Sequence, residues 1–421
     1  MLKSHASGST SDGSPPSLAA RFPQLAFQPP VSLSSFMSKV RLGIIGLGNM
    51  GATHATNILA GKVPRLELTA VADADATKPA RFPAAKAFAS ADAMIASGLI
   101  DALLIATPHF DHTTLGIKAL QAGLHVMVEK PISVHKADAE RLIAAYTNKR
   151  QVFAAMFNQR TDHYYLKIRE LIRSGELGEV RRVNWIITNW FRTEQYYASG
   201  GWRATWAGEG GGVLLNQSPH NLDLFQWMFG MPVSVQAHCK FGRYHDIEVE
   251  DDVTAYVEFA NGATGVFITS TGEAPGTNRL EIAAERGKVV YENDQLTFIR
   301  NKVPMSEFSR TAATGFAQPE TEVVPLGIKD HGGQHLEILR NFTDAILDGV
   351  PLVSPAVEGI YSVELANAML LSAWTNETVA LPLDAERYER LLQEKIAGST
   401  RKKKTPVATA TGDDFAKSFG R

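Results

Sequence analysis

The residues best suited to chemistry fall into a few short groups. Gly46-Leu47-Gly48-Asn49-Met50-Gly51 stands between an apolar run and a helical pattern. In that context Gly46 permits a tight turn, Gly48 lets the backbone approach a pyrophosphate, and Gly51 lets helix and sheet pack closely. Amides at the helix N-terminus, those of Asn49 and Met50 among them, would then face the negative phosphates. Asp73 ends the second apolar run, in Val71-Ala72-Asp73. A carboxylate there can accept hydrogen bonds from the adenosine ribose hydroxyls and would repel a 2′-phosphate. Asp75 is an alternative partner for the ribose. No arginine follows immediately, so NAD is expected rather than NADP.

Ala106-Thr107-Pro108 ends the next apolar run, His112 is expected to open a helix, and Glu129-Lys130-Pro131 ends the run after that. These endings share the carboxyl edge of a parallel sheet, where ligands of open α/β folds bind. Lys130 is placed near the nicotinamide. An amine of ordinary pKa, about 10.4, is a poor base, but burial would bring it toward neutrality. Further on comes Gly210-Gly211-Gly212, followed by Asn216, His220 and Asp223. On a helix Asn216 and His220 share one face, with Asp223 a turn beyond. A histidine beside a hydride acceptor is a natural proton relay. Ligand-type spacing of histidines and carboxylates is lacking, so no metal is expected. Residues 190–206 carry Trp190, Phe191, Tyr196, Tyr197, Trp202 and Trp206 with Arg192 and Arg203. Aromatic faces and guanidinium forks suit a carbohydrate pocket, Trp202 and Arg203 in particular. A packing or subunit-interface arm explains the same residues equally well.

The elements that must position these groups follow from the apolar pattern. Runs at 41–45, 66–72, 102–106 and 125–128 are apolar almost throughout, and amphipathic stretches at 112–122 and 136–146 lie between them. That alternation indicates a parallel sheet covered on both faces, a Rossmann domain over 38–157. From 158 to 395 the pattern changes to α+β. Helices at 162–174, after Gly212, at 335–347 and at 356–374 surround strands at 179–191, 233–240, 252–259, 263–271, 278–284 and 288–291. Consecutive strands joined by turns such as Asn261-Gly262 imply an open, mostly antiparallel sheet. The class is α/β, with the site expected between the two domains.

Composition narrows the remaining classes. The chain has 421 residues, is 44% hydrophobic and carries a formal net charge of −2. That balance offers no electrostatic reason to expect nucleic acid or an anionic membrane. No apolar run is long enough to span a bilayer. The single cysteine, Cys239, excludes an intrachain disulfide framework and fits a cytoplasmic location. Residues 1–37 are rich in Ser, Pro and Gly and are expected to be a disordered extension, and 396–421 a polar basic tail.

Together the Gly46–Gly51 turn, Asp73, Ala106-Thr107-Pro108 with His112, Glu129-Lys130-Pro131 and the Gly210 to Asp223 segment resemble the Gfo/Idh/MocA family of sugar and cyclitol oxidoreductases. The resemblance spans roughly 39–384. It implies hydride exchange between nicotinamide and a secondary carbinol of a sugar, glycoside or polyol. By position, Lys130 would polarise or deprotonate the reacting hydroxyl and His220 would be its acid/base partner. Asn158 would lie near the nicotinamide, with Arg160 reaching the substrate. It also implies a homodimer or homotetramer formed through the C-terminal sheet. One departure stands out: many members have aspartate where this chain has Asn216, which can orient a hydroxyl but cannot hold a proton. Some members acting on nucleotide-linked or glycosidic sugars share an Asn-Gln-x-x-His version, which favours a hexose moiety oxidised at a ring hydroxyl such as C3 over free inositol. Two competing activities share the same parts. One is an NAD-dependent glycosidase working by transient oxidation and elimination; the other is a non-catalytic NAD- or sugar-sensing regulator.

Overall fold

The computed structural model describes residues 39–400. The expectations for 1–37 and for the tail beyond 400 lie outside those residues. In the first half β1 (Val40–Ile45), α1 (Asn49–Leu59), β2 (Leu66–Ala72), β3 (Lys86–Phe88), α2 (Ala91–Ile95), β4 (Ala102–Ile105), α3 (His109–Gln121), β5 (His125–Val128), α4 (Lys136–Ala145) and β6 (Phe153–Ala155) follow one another. The strands pair in parallel in the order β3-β2-β1-β4-β5-β6. The order reverses between β1 and β4, which opens a crevice at their carboxyl ends. The central strands are nearly apolar because both faces are covered, with Arg41 and Glu67 as exposed exceptions near the strand starts. Leu42, Ile44 and Leu104 pack into one core, and Ile45, Leu103 and Ile105 into the other.

The second half contains α5 (His163–Arg173), β7 (Val180–Ile187), α6 (Glu194–Ala198), α7 (Pro219–Phe229), β8 (Ser234–Phe241), β9 (Glu250–Glu258), β10 (Thr264–Ser270), β11 (Asn278–Ala284), β12 (Gly287–Glu292), β13 (Gln295–Asn301), α8 (Met305–Thr311), β14 (Thr321–Val324), α9 (Gln334–Asp348), α10 (Gly359–Thr375), β15 (Val379–Ala380) and α11 (Ala385–Ala397). Its nine strands run β14-β13-β12-β11-β7-β10-β9-β8-β15. Every pair is antiparallel except β7 with β10 at the centre, which is parallel. Side chains alternate as a one-sided sheet requires. Val253, Ala255 and Val257 are buried with Phe225 of α7 and Met369 of α10, while Thr254, Tyr256 and Glu258 face outward.

Three differences from the sequence reading bear on the site. The strand from 179 stops at Ile187, so the aromatic stretch that follows leaves the sheet and becomes a separate arm. The helix expected straight after Gly212 starts only at Pro219, which suits the first helical position because it lacks an N–H. Asn216 therefore lies in the turns before α7, and it does not share a helix face with His220. Finally, α9 returns to the first domain. Its apolar stripe of Ile338, Leu339 and Phe342 packs with Leu42, Ile44 and Leu104, and Ala154 bridges to Pro355. Position 157 thus marks the end of the parallel sheet, while residues 334–355 still cover it.

Candidate active site

The turn after β1 has the shape a dinucleotide needs. Gly46 adopts φ +87°, and a Cβ there would lie 2.5 Å from the Ala106 carbonyl oxygen. A Cβ on Gly51 would lie 1.8 Å from the Gly46 oxygen, so neither position accepts a larger residue. At Gly48, by contrast, a Cβ would meet nothing within 4 Å. That glycine keeps the approach to α1 open. No side chain caps α1, so its first-turn amides are left for an anion. Asp73 is built into this turn. Its carboxylate accepts Leu47 N at 2.6 Å and Asp75 N at 2.8 Å, and Lys78 Nζ lies 3.1 Å from Oδ1. Lys78 Nζ also lies 3.3 Å from Oδ2, so a ribose hydroxyl would share this carboxylate with the lysine. Asp75 is turned away, holding Thr77. Two buried acceptors at the same sheet edge, Thr107 Oγ1 and Asn158 Oδ1, have no partner among the described residues. Buried polar atoms are seldom left so, and these two suit a ligand rich in hydroxyl and amide groups. The residues present fit NAD.

Glu129 and Lys130 follow β5 and point into different partners. Glu129 Oε1 lies 2.7 Å from His54 Nε2, a residue wholly buried on α1. Burial pushes the Glu129 carboxyl up, but the His54 bond and the nearby positive groups outweigh it and leave the carboxyl below its usual range. His335, from the first turn of α9, sits 5.8 Å from the His54 ring, and burial pushes its pKa down to about 4. Lys130 Nζ donates to the backbone oxygen of Asn216 at 2.7 Å. Burial brings this ammonium down to about 8; Arg203 and Arg192 add to the effect, and Glu129 and Glu209 oppose it.

The segment before α7 is fixed by carboxylates. Glu250 is fully buried at the start of β9, and its Oε1 accepts Gly212 N at 2.8 Å and Leu214 N at 3.0 Å. Burial pushes its carboxyl up to about 7. Glu209 accepts Ala204 N and the amide of Asn216. Tyr196 of the arm donates to Asn216 Oδ1 at 3.3 Å. Both ends of the Asn216 side chain are thus engaged, which accounts for asparagine here. Aspartate would oppose Glu209 with a like charge. Asn216, expected to touch substrate, also presents its backbone oxygen to Lys130. His220 is buried at the start of α7, and its Nδ1 has no partner among the described residues. Burial, with Lys130 and His335 nearby, holds its pKa well below the ordinary value, so it is neutral at pH 7.

The arm completes the wall. Arg203 donates to the Tyr196 hydroxyl at 2.8 Å, and Gln217 donates to the same oxygen at 2.9 Å. Trp202 meets His109 edge-on, with ring centres 5.2 Å apart. Trp202, Arg203, Asn216, Lys130 and His220 are therefore brought together. Two expected ligands are not. Arg160 is buried with Nε and Nη2 on Asp223, at 2.7 and 2.6 Å, and Nη1 on Glu358 at 2.5 Å and Val353 O at 3.3 Å, so its charge is spent within the fold. His112, in the second turn of α3, faces the carbonyls of Pro131 at 2.8 Å and Thr107 at 2.9 Å. It ties two strand ends together instead of opening to the cofactor. The sequence reading missed His54, His109, His335 and Glu209. The position of His109 directly after Pro108 at a strand end was a usable signal; His335 and Glu209 had none, because distant elements deliver them.

Comparison with known proteins agrees with this geometry. The family description "Oxidoreductase family, NAD-binding Rossmann fold" matches residues 40–157, and "GFO/IDH/MocA C-terminal domain" matches 165–290. The uncharacterized oxidoreductase YdgJ of Escherichia coli is 32% identical over 197 residues, which are 47% of this chain and 55% of that protein. Inositol 2-dehydrogenase of Leifsonia xyli is 30% identical over 234 residues, 53% of this chain and 64% of that one. The match thus spans well under two thirds of the first and just under two thirds of the second. The crystal structure of the WlbA dehydrogenase from Bordetella pertussis, in complex with NADH and UDP-GlcNAcA, superposes with a TM-score of 0.69 at 25% identity, covering 82% of this chain and all of that one. The two matched domains, in that order and over more than half of the chain, place it in a family: the chain belongs to the Gfo/Idh/MocA oxidoreductases, with NAD as the dinucleotide its first domain binds.

Proposed function

We propose that the chain interconverts a secondary alcohol and a ketone on a sugar, glycoside or polyol, with Lys130 and His220 as the acid/base pair. The observation that carries this is the state of Lys130: an amine brought to about pKa 8, anchored on the Asn216 backbone and close enough to His220 to depress its protonation. NAD, when bound, supplies the hydride acceptor at its nicotinamide ring. In the oxidising direction the neutral amine of Lys130 takes the hydroxyl proton. The ammonium so formed then holds the carbonyl oxygen through a charge-assisted hydrogen bond. His220, neutral and with an unpartnered nitrogen, takes the proton onward. In reduction the same groups return it. The dehydrogenase named for inositol and the WlbA complex with UDP-GlcNAcA support a ring alcohol as the substrate class. The open face of the second sheet, with Tyr256 43% exposed, is the surface we assign to self-association.

The test is NADH formation by the purified chain against free sugars, inositols and glycosides. Stoichiometric NADH with at least one of them supports the reading. Aglycone release without net NADH would transfer it to a glycosidase, and no turnover with any compound would leave a binding protein.

A further inference from the structure

Resting on that reading, the geometry points to a substrate that carries a carboxylate, held between Arg192 and Arg203 on the arm above Lys130. The Arg203 guanidinium carbon lies 4.7 Å from the Tyr196 ring centre and 4.5 Å from that of Trp202. The Arg192 guanidinium carbon lies 5.1 Å from the same Tyr196 ring and 5.5 Å from Trp190. Two cations therefore converge on one aromatic ring. Among the described residues neither makes an ion pair with a carboxylate. Arg203 uses one nitrogen on the Tyr196 hydroxyl; Arg192 uses one on its neighbour's carbonyl, Phe191 O, at 2.8 Å, and its buried Nε has no partner. Glu209, the carboxylate beside them, is already engaged by Ala204 N and Asn216.

The distance to the chemistry is short. Tyr196 bonds Asn216, and Asn216 accepts from Lys130, so the guanidiniums stand a few hydrogen bonds from the reacting amine. A neutral polyol would leave both guanidiniums without an ion-paired carboxylate beside Lys130, since Glu209 is held by Ala204 N and Asn216. Arginine forks match a planar carboxylate in two parallel bonds, and the flanking rings offer faces to the sugar C–H surface. The arrangement suits a hexuronate or a carboxylated cyclitol, with the reacting hydroxyl at Lys130 and the carboxylate under the arm. It also predicts a coupling. The two guanidiniums help lower the Lys130 ammonium, so an anion that neutralises them should let it rise.

The experiment compares matched pairs with the full chain and NAD: hexose, hexuronate, the hexuronate methyl ester and the hexose 6-phosphate, each for kcat/KM and for binding to the protein–NAD complex by tryptophan fluorescence. The expected result is a preference of about 10–100-fold for the hexuronate over its methyl ester, carried mainly by KM. Arg192→Met and Arg203→Met should each cut that ratio about tenfold, and the apparent pKa of kcat should be higher with hexuronate than with hexose. Equal kcat/KM for hexose and hexuronate, or a preference for the phosphate, overturns the carboxylate while leaving the dehydrogenase reading intact. Failure of every hexuronate to bind overturns it as well. Hexuronate binding without any NADH formation would instead uphold the anion site and sink the dehydrogenase reading.

Discussion

Two buried polar groups lie within the same interdomain region and behave in opposite ways. Arg160 with Asp223 and Glu358 is closed: each fork has a carboxylate, and Arg160 is 1% exposed. Lys130, His109, His220 and Arg192 form an open group, each with a depressed pKa or a buried nitrogen that lacks a partner. Both look alike in sequence, as charged residues near motif positions. Satisfaction separates them. A closed buried pair holds elements together and has no capacity left for a ligand, whereas unpaired buried polar atoms are tolerated only where something else answers them. Here the closed pair joins α7 to the turn after β6, and the open group lines the site proposed for the reaction.

The largest effect expected is on the open side. Lys130→Met should reduce hydride transfer by about 10²–10⁴-fold, with NAD affinity by fluorescence titration kept within a few-fold. In the unaltered protein the oxidation rate should rise through about pH 8 and level off above it, because the base is the neutral amine; reduction should show the reverse. Full turnover in Lys130→Met would end the assignment.

On the closed side, Arg160→Met should cost about 3–5 kcal/mol of folding stability by stranding the Asp223 charge. Denaturant melts measure this, and a change in substrate KM in the remaining folded protein would show that the pair is not closed after all. Glu250→Gln sharpens the contrast through pH. A carboxyl with its folded pKa raised to about 7 contributes stability at low pH that is lost as pH rises from its unfolded value toward and through 7. The loss amounts to about 3 kcal/mol. The glutamine variant should gain about that much on the unaltered protein between pH 5 and pH 8, and parallel profiles would contradict it.

Asn216→Asp should lower kcat about 10–100-fold by setting a charge against Glu209, with recovery when Glu209→Gln is added. No recovery would mean that Asn216 acts by direct substrate contact. The smallest effect is at the cofactor's far end. Asp73→Ala should raise the NAD KM about tenfold and lessen the discrimination against NADP; an unchanged cofactor ratio would move that role elsewhere.

Local patterns determined the architecture by themselves. Apolar runs ending in Gly46, Asp73, Thr107 and Lys130 specify a parallel sheet and its carboxyl edge, because a strand covered on both faces has no polar alternative. The turn at Gly46 was equally legible, since only glycine tolerates its φ and the carbonyl beside it. The one-sided sheet of the second half showed in the alternation along β9. Tertiary structure alone decided who faces whom. Arg160 and His112 sit where a ligand contact was expected and are consumed by Asp223 and by backbone carbonyls. His335 reaches the first domain from α9, more than two hundred residues from Glu129 in the chain, and Glu209 explains Asn216 only through a contact that no spacing encodes. Backbone preference and burial pattern are local quantities, so sequence carries them. Whether a buried polar atom has a partner depends on every element packed against it, so only the folded chain could divide the charged residues into those that hold the fold and those left for chemistry.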